Sequence, residues 1–354
     1  AGLTFADALA TMTGERETRV LLVGDYPPPS GGVATHVEEL FRAVRARGGT
    51  CAVLDIGKGQ LPAAGVIPAG SVPRFSALLG SYAARGFRVH AHTSGSNPKS
   101  WMLAQACAAA GRVSGGALIT LHSGLGPAWL LAKRLRRAMA RAVLAQFARV
   151  IAVSGEIRDA LAQCGVARVA VVPAFSHEFI KPGPPPEALA RLRAGASPLY
   201  CAMIAPRPEY GQGILLRAFA DVRVKIPAAA LALYGPGSDS VREDGVHPFG
   251  ELHRSQALAV MAACDVFVRP TLADGDSVSV REALALGRRV VATSVGHRPP
   301  GVRLVPPGDA RALADALIAS SAEPAARPTA HGPDGLEQIL SLYGVTACAA
   351  SAAS

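Results

Sequence analysis

The stretch Asp274-Gly-Asp-Ser-Val-Ser-Val-Arg-Glu282 is followed by Ala283-Leu-Ala-Leu-Gly287 and the apolar run Val290-Val-Ala-Thr293. Two carboxylates bracket seven residues, and Gly287 separates the predicted helix from the next predicted strand. A loop that enters a helix in this way exposes backbone N–H groups at the first helical turn, where the helix dipole is positive. The stretch therefore predicts an anion site with a carboxylate on each side, which suits a ligand made of sugar, diphosphate and nucleoside.

The length and composition favour a two-domain globular protein. The chain has 354 residues, of which 50% are hydrophobic, and its mean hydropathy is +0.27. That length allows two domains with a core each, and no apolar run approaches the roughly 20 residues needed to cross a bilayer. Residues before about Arg16 have no basic and apolar pattern of a signal peptide, so we expect a cytoplasmic protein. The six cysteines lack metal-ligand spacing, and we expect buried reduced thiols: Cys51, Cys107, Cys164, Cys201, Cys264 and Cys348.

Short apolar segments alternate with amphipathic segments along the whole chain. Strands are predicted at residues 20–23, 89–92 and 117–121 among others, and helices at residues 36–47 and 128–147. This alternation predicts parallel, doubly wound α/β sheets. The proline-rich residues 181–187 break any regular element and predict a linker between two such units.

A glycine pair follows the first predicted strand, in Gly24-Asp-Tyr-Pro-Pro-Pro-Ser-Gly31-Gly32-Val-Ala-Thr-His36. Prolines stiffen this loop, and the glycines let a ligand approach the backbone at the start of the next helix. The loop has neither the GxGxxG spacing of dinucleotide-binding proteins nor the Lys-Ser/Thr of a P-loop. The pattern therefore argues against hydride transfer and nucleotide hydrolysis.

Together these motifs resemble those of the GT-B-fold, retaining, family-4-like glycosyltransferases. The signature Glu-x7-Glu of that family reads Asp274-x7-Glu282 here, and the resemblance extends from about residue 19 to about residue 343. It implies two Rossmann-like domains facing a central cleft and a C-terminal helix that crosses back to the first domain. The implied limits are 1–178 for the acceptor-side domain, 189–330 for the nucleotide-sugar domain and 331–354 for the returning helix.

The resemblance also implies roles for individual residues. Glu282 would bind the ribose hydroxyls, Asp274 the donor sugar, and His122 would lie near the reaction centre, with His92 on the acceptor side. Such retaining enzymes use no dedicated protein nucleophile, and the leaving phosphate helps to deprotonate the acceptor. The remaining contacts, to the donor phosphates, are implied for Gly31, Gly32, Gly275, Asp276 and Ser277.

The chain departs from the family after the first strand of the second domain. The family places an Arg and a Lys there to neutralise the diphosphate, whereas this chain has Ala205 and Tyr210 at the aligned positions. Preorganised donors for the leaving charge contribute several kcal/mol. We therefore expect Arg207, Arg269, helix N-termini or a further basic group to replace that pair, and weak turnover if none does.

The segment Asp274-Gly-Asp276 also reads as an Asp-x-Asp metal-binding pattern. It lies at the head of a late helix, inside the seven-residue spacing, and this position argues against a metal site. We therefore expect no metal and no cofactor, with the nucleotide sugar bound as a substrate.

The formal net charge of +10 is uneven along the chain. Residues 1–180 carry 19 Lys and Arg against 10 Asp and Glu, and residues 181–354 carry 17 against 16. The predicted helix over residues 130–144 concentrates cations, among them Lys133, Arg134 and Arg137, while Leu131, Leu135, Ala138 and Met139 are expected to face the core. Such a face suits anionic lipid headgroups or the acceptor side, and equally a plain solvated surface. No aromatic platform accompanies the charge, so we expect no nucleic-acid partner.

These features predict a metal-independent retaining glycosyltransferase, located at the inner face of the membrane as a peripheral protein. The expected acceptor is a hydroxyl, carried on a lipid, in cell-surface polysaccharide or glycolipid assembly. Two alternatives remain open. A nucleotide-sugar 2-epimerase of the same fold would form product without an acceptor, and a non-catalytic sugar-nucleotide-binding protein would fit the missing Arg and Lys pair.

Overall fold

The structure is a computed structural model that describes residues 18–28, 31–59, 62–324 and 334–345. The segment before Arg16 and Cys348 lie outside the described residues. The other five cysteines are buried and free.

Seven parallel strands form the first sheet, in the order β3-β2-β1-β4-β5-β6-β7. Its strands are β1 (Arg19–Gly24), β2 (Thr50–Asp55), β3 (Val66–Pro68), β4 (Arg88–Thr93), β5 (Leu118–Leu121), β6 (Arg149–Ala152) and β7 (Val169–Val171). The helices that connect them are α1 (Gly32–Ala46), α2 (Val72–Ala84), α3 (Pro98–Gly111), α4 (Leu125–Leu131), α5 (Arg134–Leu144) and α6 (Gly155–Gln163). The central strands are short apolar runs buried on both faces, as expected where helices cover a parallel sheet on both sides.

Six parallel strands form the second sheet, in the order β10-β9-β8-β11-β12-β13. Its strands are β8 (Leu199–Met203), β9 (Ala230–Tyr234), β10 (Val246–Pro248), β11 (Val266–Arg269), β12 (Arg289–Thr293) and β13 (Val302–Val305). Its helices are α7 (Glu187–Gly195), α8 (Gln212–Lys225), α9 (Arg254–Ala263), α10 (Val278–Ala285) and α11 (Ala310–Ala322), with 3-10 turns at Pro208–Tyr210 and Ser238–Ser240. Both sheets have the doubly wound arrangement that places ligand sites at the carboxyl ends of the strands.

The last helix, α12 (Gly335–Tyr343), returns to the first sheet. Asp334 caps it by accepting a hydrogen bond from the backbone N–H of Leu336 at 2.9 Å. Its apolar face, which includes Ile339 and Leu340, belongs to the core that α1 shares with β1 and β2. The fold predicted from the sequence, two Rossmann-like units with a helix crossing back, is thereby confirmed. The limits 1–178, 189–330 and 331–354 stay a prediction.

Some local predictions were wrong. The single helix predicted over residues 128–147 is two helices, α4 and α5, because Lys133 has an extended backbone with φ −140° and ψ 134°. This break turns α5, so that Leu135, predicted to face the core, is 81% exposed. Helix α1 begins at Gly32 rather than at His36, and α2, which begins after the side-chain cap of Ser71, was not predicted.

Candidate active site

The loop after β11 is held by an ion-pair network centred on Asp274. Its Oδ2 accepts hydrogen bonds from Arg269 Nε at 3.0 Å, Arg298 Nη2 at 3.1 Å and Thr271 Oγ1 at 3.2 Å. Its Oδ1 accepts from the backbone N–H of Gly275 at 3.1 Å and from Arg269 Nη2 at 3.4 Å. Burial raises the pKa of Asp274, but the two guanidinium groups outweigh burial, and the pKa lies below its usual value. Asp274 is therefore ionised, with both oxygens engaged by its own loop.

Arg269 belongs to this network. It is buried at the end of β11, with its guanidinium 5.1 Å from the ring centroid of Tyr210, the residue aligned with the family lysine. Among the candidates to replace the family's diphosphate-binding pair, Arg269 thus has its guanidinium engaged by Asp274, which it shares with Arg298.

Asp276 is also fixed inside the protein. Arg281, one turn along in α10, donates from Nε to Oδ1 at 2.7 Å and from Nη2 to Oδ2 at 2.8 Å. Both side chains are almost fully buried. Ser277 precedes α10 and is buried as well. Within the described ranges, no group of three or more His, Cys, Asp and Glu side chains has the geometry to hold a metal ion.

Glu282 lies in α10 and accepts hydrogen bonds from Arg254 of α9. Arg254 donates to Glu282 Oε1 from Nη2 at 2.8 Å and from Nε at 3.1 Å. Glu282 is 8% exposed, and its Oε2 has no hydrogen-bond partner among the residues that the structure describes. The same Arg254 Nη2 lies 2.6 Å from Oε1 of Glu39, a buried residue of α1. Because α1 belongs to the first sheet, the Glu282 carboxylate lies where the two domains meet.

Four histidines cluster at the carboxyl edge of the first sheet. His122, directly after β5, hydrogen-bonds through Nε2 to Nδ1 of His92 on β4 at 3.2 Å. His90, two residues before His92, bonds through Nε2 to Thr120 Oγ1 at 2.8 Å and through Nδ1 to the hydroxyl of Tyr343 in α12. The ring of His36, from α1, lies 5.4 Å from that of His122 and 5.5 Å from that of His92.

Burial keeps these imidazoles neutral. It lowers the pKa of His36 to about 4, and it lowers the pKa of His90, His92 and His122 well below the usual value, assisted by neighbouring histidines. In a neutral imidazole one nitrogen donates and the other accepts. Since His122 Nε2 is bonded to His92, Nδ1 is the nitrogen of His122 that remains for a ligand. His92 therefore lies behind His122, where it fixes the orientation of that ring.

The two domains touch through glycines beside these groups. A methyl group built at Gly124 would lie 1.7 Å from the carbonyl oxygen of Asp274, and one built at Gly275 would lie 2.8 Å from the carbonyl oxygen of His122. Within the second domain, a methyl group built at Gly296, which has φ 64°, would lie 2.3 Å from the carbonyl oxygen of Gly275. Only glycine fits such backbone-to-backbone contact. The predicted loops of His122 and Asp274 are thus brought together.

Gly31 and Gly32 lie at the start of α1. Methyl groups built on either residue would meet no described atom within 4 Å, and Gly31 is extended, with φ −160°. Neither contact with the described residues nor backbone conformation therefore requires glycine here. The space beside these two residues has room for a ligand at the N-terminus of a helix, where anions bind favourably.

A cavity of about 450 Å³ lies at the start of α8. Its cations are Arg207 and Arg217, both exposed and without a side-chain partner in the part of the chain that the structure describes. Asp25, after β1, lies near enough to Arg207 for that charge to lower its pKa, although burial and Asp55 raise the pKa overall. The lining residues are Ala205, Pro206, Arg207, Pro208, Gly211, Gln212, Gly213, Ile214, Arg217 and Leu272.

The basic segment predicted to face a membrane or acceptor divides into two groups. Lys133 and Arg134 are exposed at the start of α5. Arg137 instead donates to the carbonyl of Leu131 at 2.7 Å, and Arg136 stacks on Trp129 at 4.2 Å from the ring centroid. The guanidinium of Arg137 therefore caps the end of α4.

Two family models match this arrangement, one on each domain. The model described as Glycosyltransferase Family 4 matches residues 30–175, and the model described as Glycosyl transferases group 1 matches residues 197–322. The chain belongs to the group 1, family-4-like glycosyltransferases. No curated protein sequence matches this glycosyltransferase.

Solved structures share its fold at low sequence identity. The structure of HepE from Anabaena in complex with UDP and glucose has 18% identity and a TM-score of 0.62, covering 86% of this chain and 90% of that one. Sucrose-phosphate synthase from Thermosynechococcus elongatus has 20% identity and a TM-score of 0.66, with coverages of 92% and 95%. A UDP-forming trehalose-phosphate synthase from Burkholderia vietnamiensis has 14% identity and a TM-score of 0.58, with coverages of 87% and 92%. These likenesses show the GT-B fold.

Several groups at the site were missed by sequence reasoning. Arg254, Arg298 and Glu39 have no motif of their own, and their partners lie on other elements. The signal within the sequence is limited to two local pairs, Asp274 with Arg269 and Asp276 with Arg281, each five residues apart.

Proposed function

We propose that this glycosyltransferase transfers a sugar from a nucleotide-sugar donor to a hydroxyl acceptor with retention at the anomeric carbon. The observation that carries the proposal is the state of Glu282. Its Oε1 is fixed by Arg254, and its Oε2 has no described partner, at the boundary of the two domains. A carboxylate held in this way presents acceptor lone pairs to a diol, so we assign it to the ribose hydroxyls of the donor.

The donor phosphates would be bound from both domains. The first turn of α1, behind Gly31 and Gly32, supplies N–H groups in open space. Arg207 and Arg217 are exposed at the start of α8 and supply positive charge there, with Asp25 near Arg207. We propose that this pair of arginines replaces the Arg and Lys of the family, because Arg269 is already engaged by Asp274.

His122 would serve the reaction centre as a neutral group. Its Nε2 is occupied by His92, and its pKa is well below the usual value because the ring is buried. The free Nδ1 can exchange hydrogen bonds with a sugar hydroxyl without the cost of placing a charge. We assign no protein general base, and propose that the leaving phosphate takes the acceptor proton on the same face.

Metal independence is part of the proposal. The Asp-x-Asp pattern is supported as structural by the ion pairs of both acids, Asp274 with Arg269 and Arg298, and Asp276 with Arg281. A divalent ion there would have to displace three guanidinium groups from buried carboxylates.

A lipid-linked acceptor is supported by the surface of the first domain. Between residues 56 and 155 the chain carries 12 Lys and Arg and no Asp or Glu. The neighbouring helices α2, α3 and α5 each expose an apolar side chain early in the helix: Val72 at 78%, Met102 at 72% and Leu135 at 81%. Apolar side chains among cations suit an anionic bilayer surface. No described helix is long and apolar enough to cross a membrane. We propose peripheral attachment at the cytoplasmic face, in polysaccharide or glycolipid assembly.

A second candidate is a non-catalytic sugar-nucleotide-binding protein. It is favoured by Asp274, because an acid with both oxygens engaged by arginines and backbone offers little to a donor sugar. The two candidates share the donor site and differ in turnover.

The decisive experiment is a panel of nucleotides and nucleotide sugars in thermal shift, with and without EDTA. UDP-glucose is the first member to try, because HepE was solved with UDP and glucose. A ligand that binds only the folded state raises stability by RT ln(1 + [L]/Kd). We expect a hit insensitive to EDTA and lost in Glu282→Gln, but retained in Glu187→Gln, a fully exposed acid of α7. A hit that requires a metal would overturn metal independence.

Turnover and the membrane are tested next. NMR of the product anomeric centre reports retention, and incubation of the donor alone reports an epimerase.

For the membrane, we expect sedimentation with vesicles containing anionic lipid at physiological salt, reduced in the double variant Lys133→Glu with Arg134→Glu. The control is Arg191→Glu, an exposed cation of the second domain. Equal sedimentation of all three proteins would refute membrane attachment through α5.

A further inference from the structure

Arg254 contacts one carboxylate from each domain. Its Nη2 lies 2.6 Å from Glu39 Oε1 in α1 and 2.8 Å from Glu282 Oε1 in α10. The side chains are buried or nearly so, with relative exposures of 17% for Arg254, 3% for Glu39 and 10% for Glu282. The guanidinium is therefore shared across the domain boundary, away from bulk water.

Among the described residues of the second domain, no other ion pair reaches the first domain. Asp274 and Asp276 are each paired with arginines of their own domain, whereas Arg254 reaches the ribose acid and the first domain with the same guanidinium. Three charged groups act electrostatically on Glu39: Arg254, Glu282 and Asp334, the last at the start of α12. Asp334 is itself engaged, since it accepts from Ser176 Oγ at 2.9 Å.

We propose that Arg254 and Glu39 are positioning residues for the donor site. Arg254 orients the Glu282 carboxylate, and its contact with Glu39 makes that orientation depend on the first domain being closed against the second. The inference rests on the proposed function, because it takes Glu282 as the ribose-binding group.

Closure and donor binding are coupled by this arrangement. When the domains separate, the Glu39 contact is lost while the Glu282 contact remains within the second domain. A nucleotide that engages Glu282 and the closed cleft therefore favours the closed state, and the Glu39 contact adds to that preference. Removal of Glu39 is expected to weaken nucleotide affinity although Glu39 touches no nucleotide.

The protonation of Glu39 supplies a second readout. Burial, followed by Glu282 and Asp334, raises the pKa of Glu39 to about 8, against the opposing effect of Arg254. At pH 7 the group is therefore mostly neutral, and its contact with Arg254 is that of an uncharged acid. Above pH 8 it ionises, competes with Glu282 for Arg254 and adds negative charge near an anionic donor. Nucleotide affinity of the wild type is therefore expected to fall between pH 7 and pH 9.

The test compares Glu39→Ala, Glu39→Gln and the neighbouring Glu38→Gln by calorimetric titration with the nucleotide that stabilises the wild type. Glu38 is the matched control, because it is on the same helix and pairs only with Arg42 at the surface. We expect Glu39→Ala to raise Kd about tenfold at pH 7, and Glu38→Gln to leave it unchanged. Glu39→Gln, which mimics the neutral acid, should match the wild type at pH 7 and lose its fall in affinity toward pH 9.

Small-angle scattering of the ligand-free proteins reports closure directly and also detects unfolding. A compact wild type and a more extended, still cooperatively melting Glu39→Ala support the bridge. If the wild type binds nucleotide and both Glu39 variants follow it in affinity, pH profile and scattering, the bridge is refuted while the proposed function stands. If no protein binds any nucleotide, both proposals are overturned.

Discussion

The two sheets differ in the buried polar side chains at their facing edges. The first sheet gathers four histidines that burial keeps uncharged. The second sheet gathers three acids, Asp274, Asp276 and Glu282, and balances each with arginine. One edge is neutral and able to exchange hydrogen bonds, whereas the other is densely charged but internally compensated. The comparison shows that Asp274 and Asp276 are engaged by arginines of their own domain, whereas the four histidines lie together without charge.

The largest effect is expected when one carboxylate is removed from the edge of the second sheet. Asp274→Asn leaves Arg269 and Arg298 buried without a counter-charge, and breaking a buried pair from one side costs about 3–5 kcal/mol. Chemical denaturation should show this loss in the free energy of unfolding. The control is Asp315→Asn, whose partner Lys225 is exposed, and it should change stability by less than about 1 kcal/mol. Equal effects of the two substitutions would contradict a buried network.

Lowering the pH tests whether burial keeps the histidines at the edge of the first sheet neutral. The pKa of His36 is lowered to about 4 from 6.5, because the ring is buried. Between these values the unfolded chain binds a proton and the folded chain does not, so stability present above pH 6.5 is lost as pH falls toward 4. The shift corresponds to about 3 kcal/mol. His36→Phe removes this term, and its stability relative to wild type should improve by about that amount between pH 7 and pH 4.

Denaturation at the two pH values measures the difference between variants, which removes the contribution of other titrating groups. His247→Phe, on the exposed edge strand β10, adds the same ring outside the cluster. A difference between His36→Phe and wild type that does not change with pH would show that the pKa of His36 is the same in the folded protein as in the unfolded chain.

The sequence predicts the fold well because its signal is repeated many times. Alternating apolar strands and amphipathic helices specify doubly wound sheets even where one helix is missed, as α2 was. Boundaries were less reliable: α1 begins at Gly32, and the extended Lys133 splits a segment whose composition reads as one helix. A single backbone residue decides such a break, and helical periodicity barely changes across it.

The site could be predicted only where partners are close in sequence. Asp274 and Glu282 stand out by their spacing, and His122 by its place after β5. The groups that hold them, Arg254 and His92, gain meaning only from tertiary contact. For the same reason the sequence indicated acids available to ligand, whereas the structure shows Asp274 engaged by arginines whose positions carry no motif.

The contact between the two edges is tested at Gly124. An added methyl group would lie 1.7 Å from the carbonyl oxygen of Asp274, so Gly124→Ala must push the loops apart. Displacement of reacting groups by about 1 Å can cost about 100-fold in rate. We expect kcat to fall by that order, with little change in the free energy of unfolding. Gly80→Ala, where the methyl group meets nothing within 4 Å, is the control. Full activity of Gly124→Ala would show that this contact opens during turnover.

The smallest expected effect concerns two exposed arginines at the start of α8. Arg207 and Arg217 lack side-chain partners among the described residues, whereas the arginines around Asp274, Asp276 and Glu282 are all engaged. An anion is therefore expected to find its positive charge at the start of α8. Arg207→Gln and Arg217→Gln should each weaken binding of a nucleoside diphosphate by about tenfold or less, because exposed charges are screened. The loss should shrink at high salt.

Calorimetry with the nucleoside diphosphate and with the bare nucleoside separates charge from shape. If the two arginines act on the diphosphate, only the affinity for the nucleoside diphosphate changes. Arg191 is an exposed cation of α7, and Arg191→Gln should change the affinity for neither ligand. Equal loss for both ligands would mean that these substitutions deform the cavity. No loss for either ligand would assign diphosphate binding to the first turn of α1 instead, and would make the contrast between the two edges sharper, since the first domain would then supply both the neutral reactive groups and the anion site.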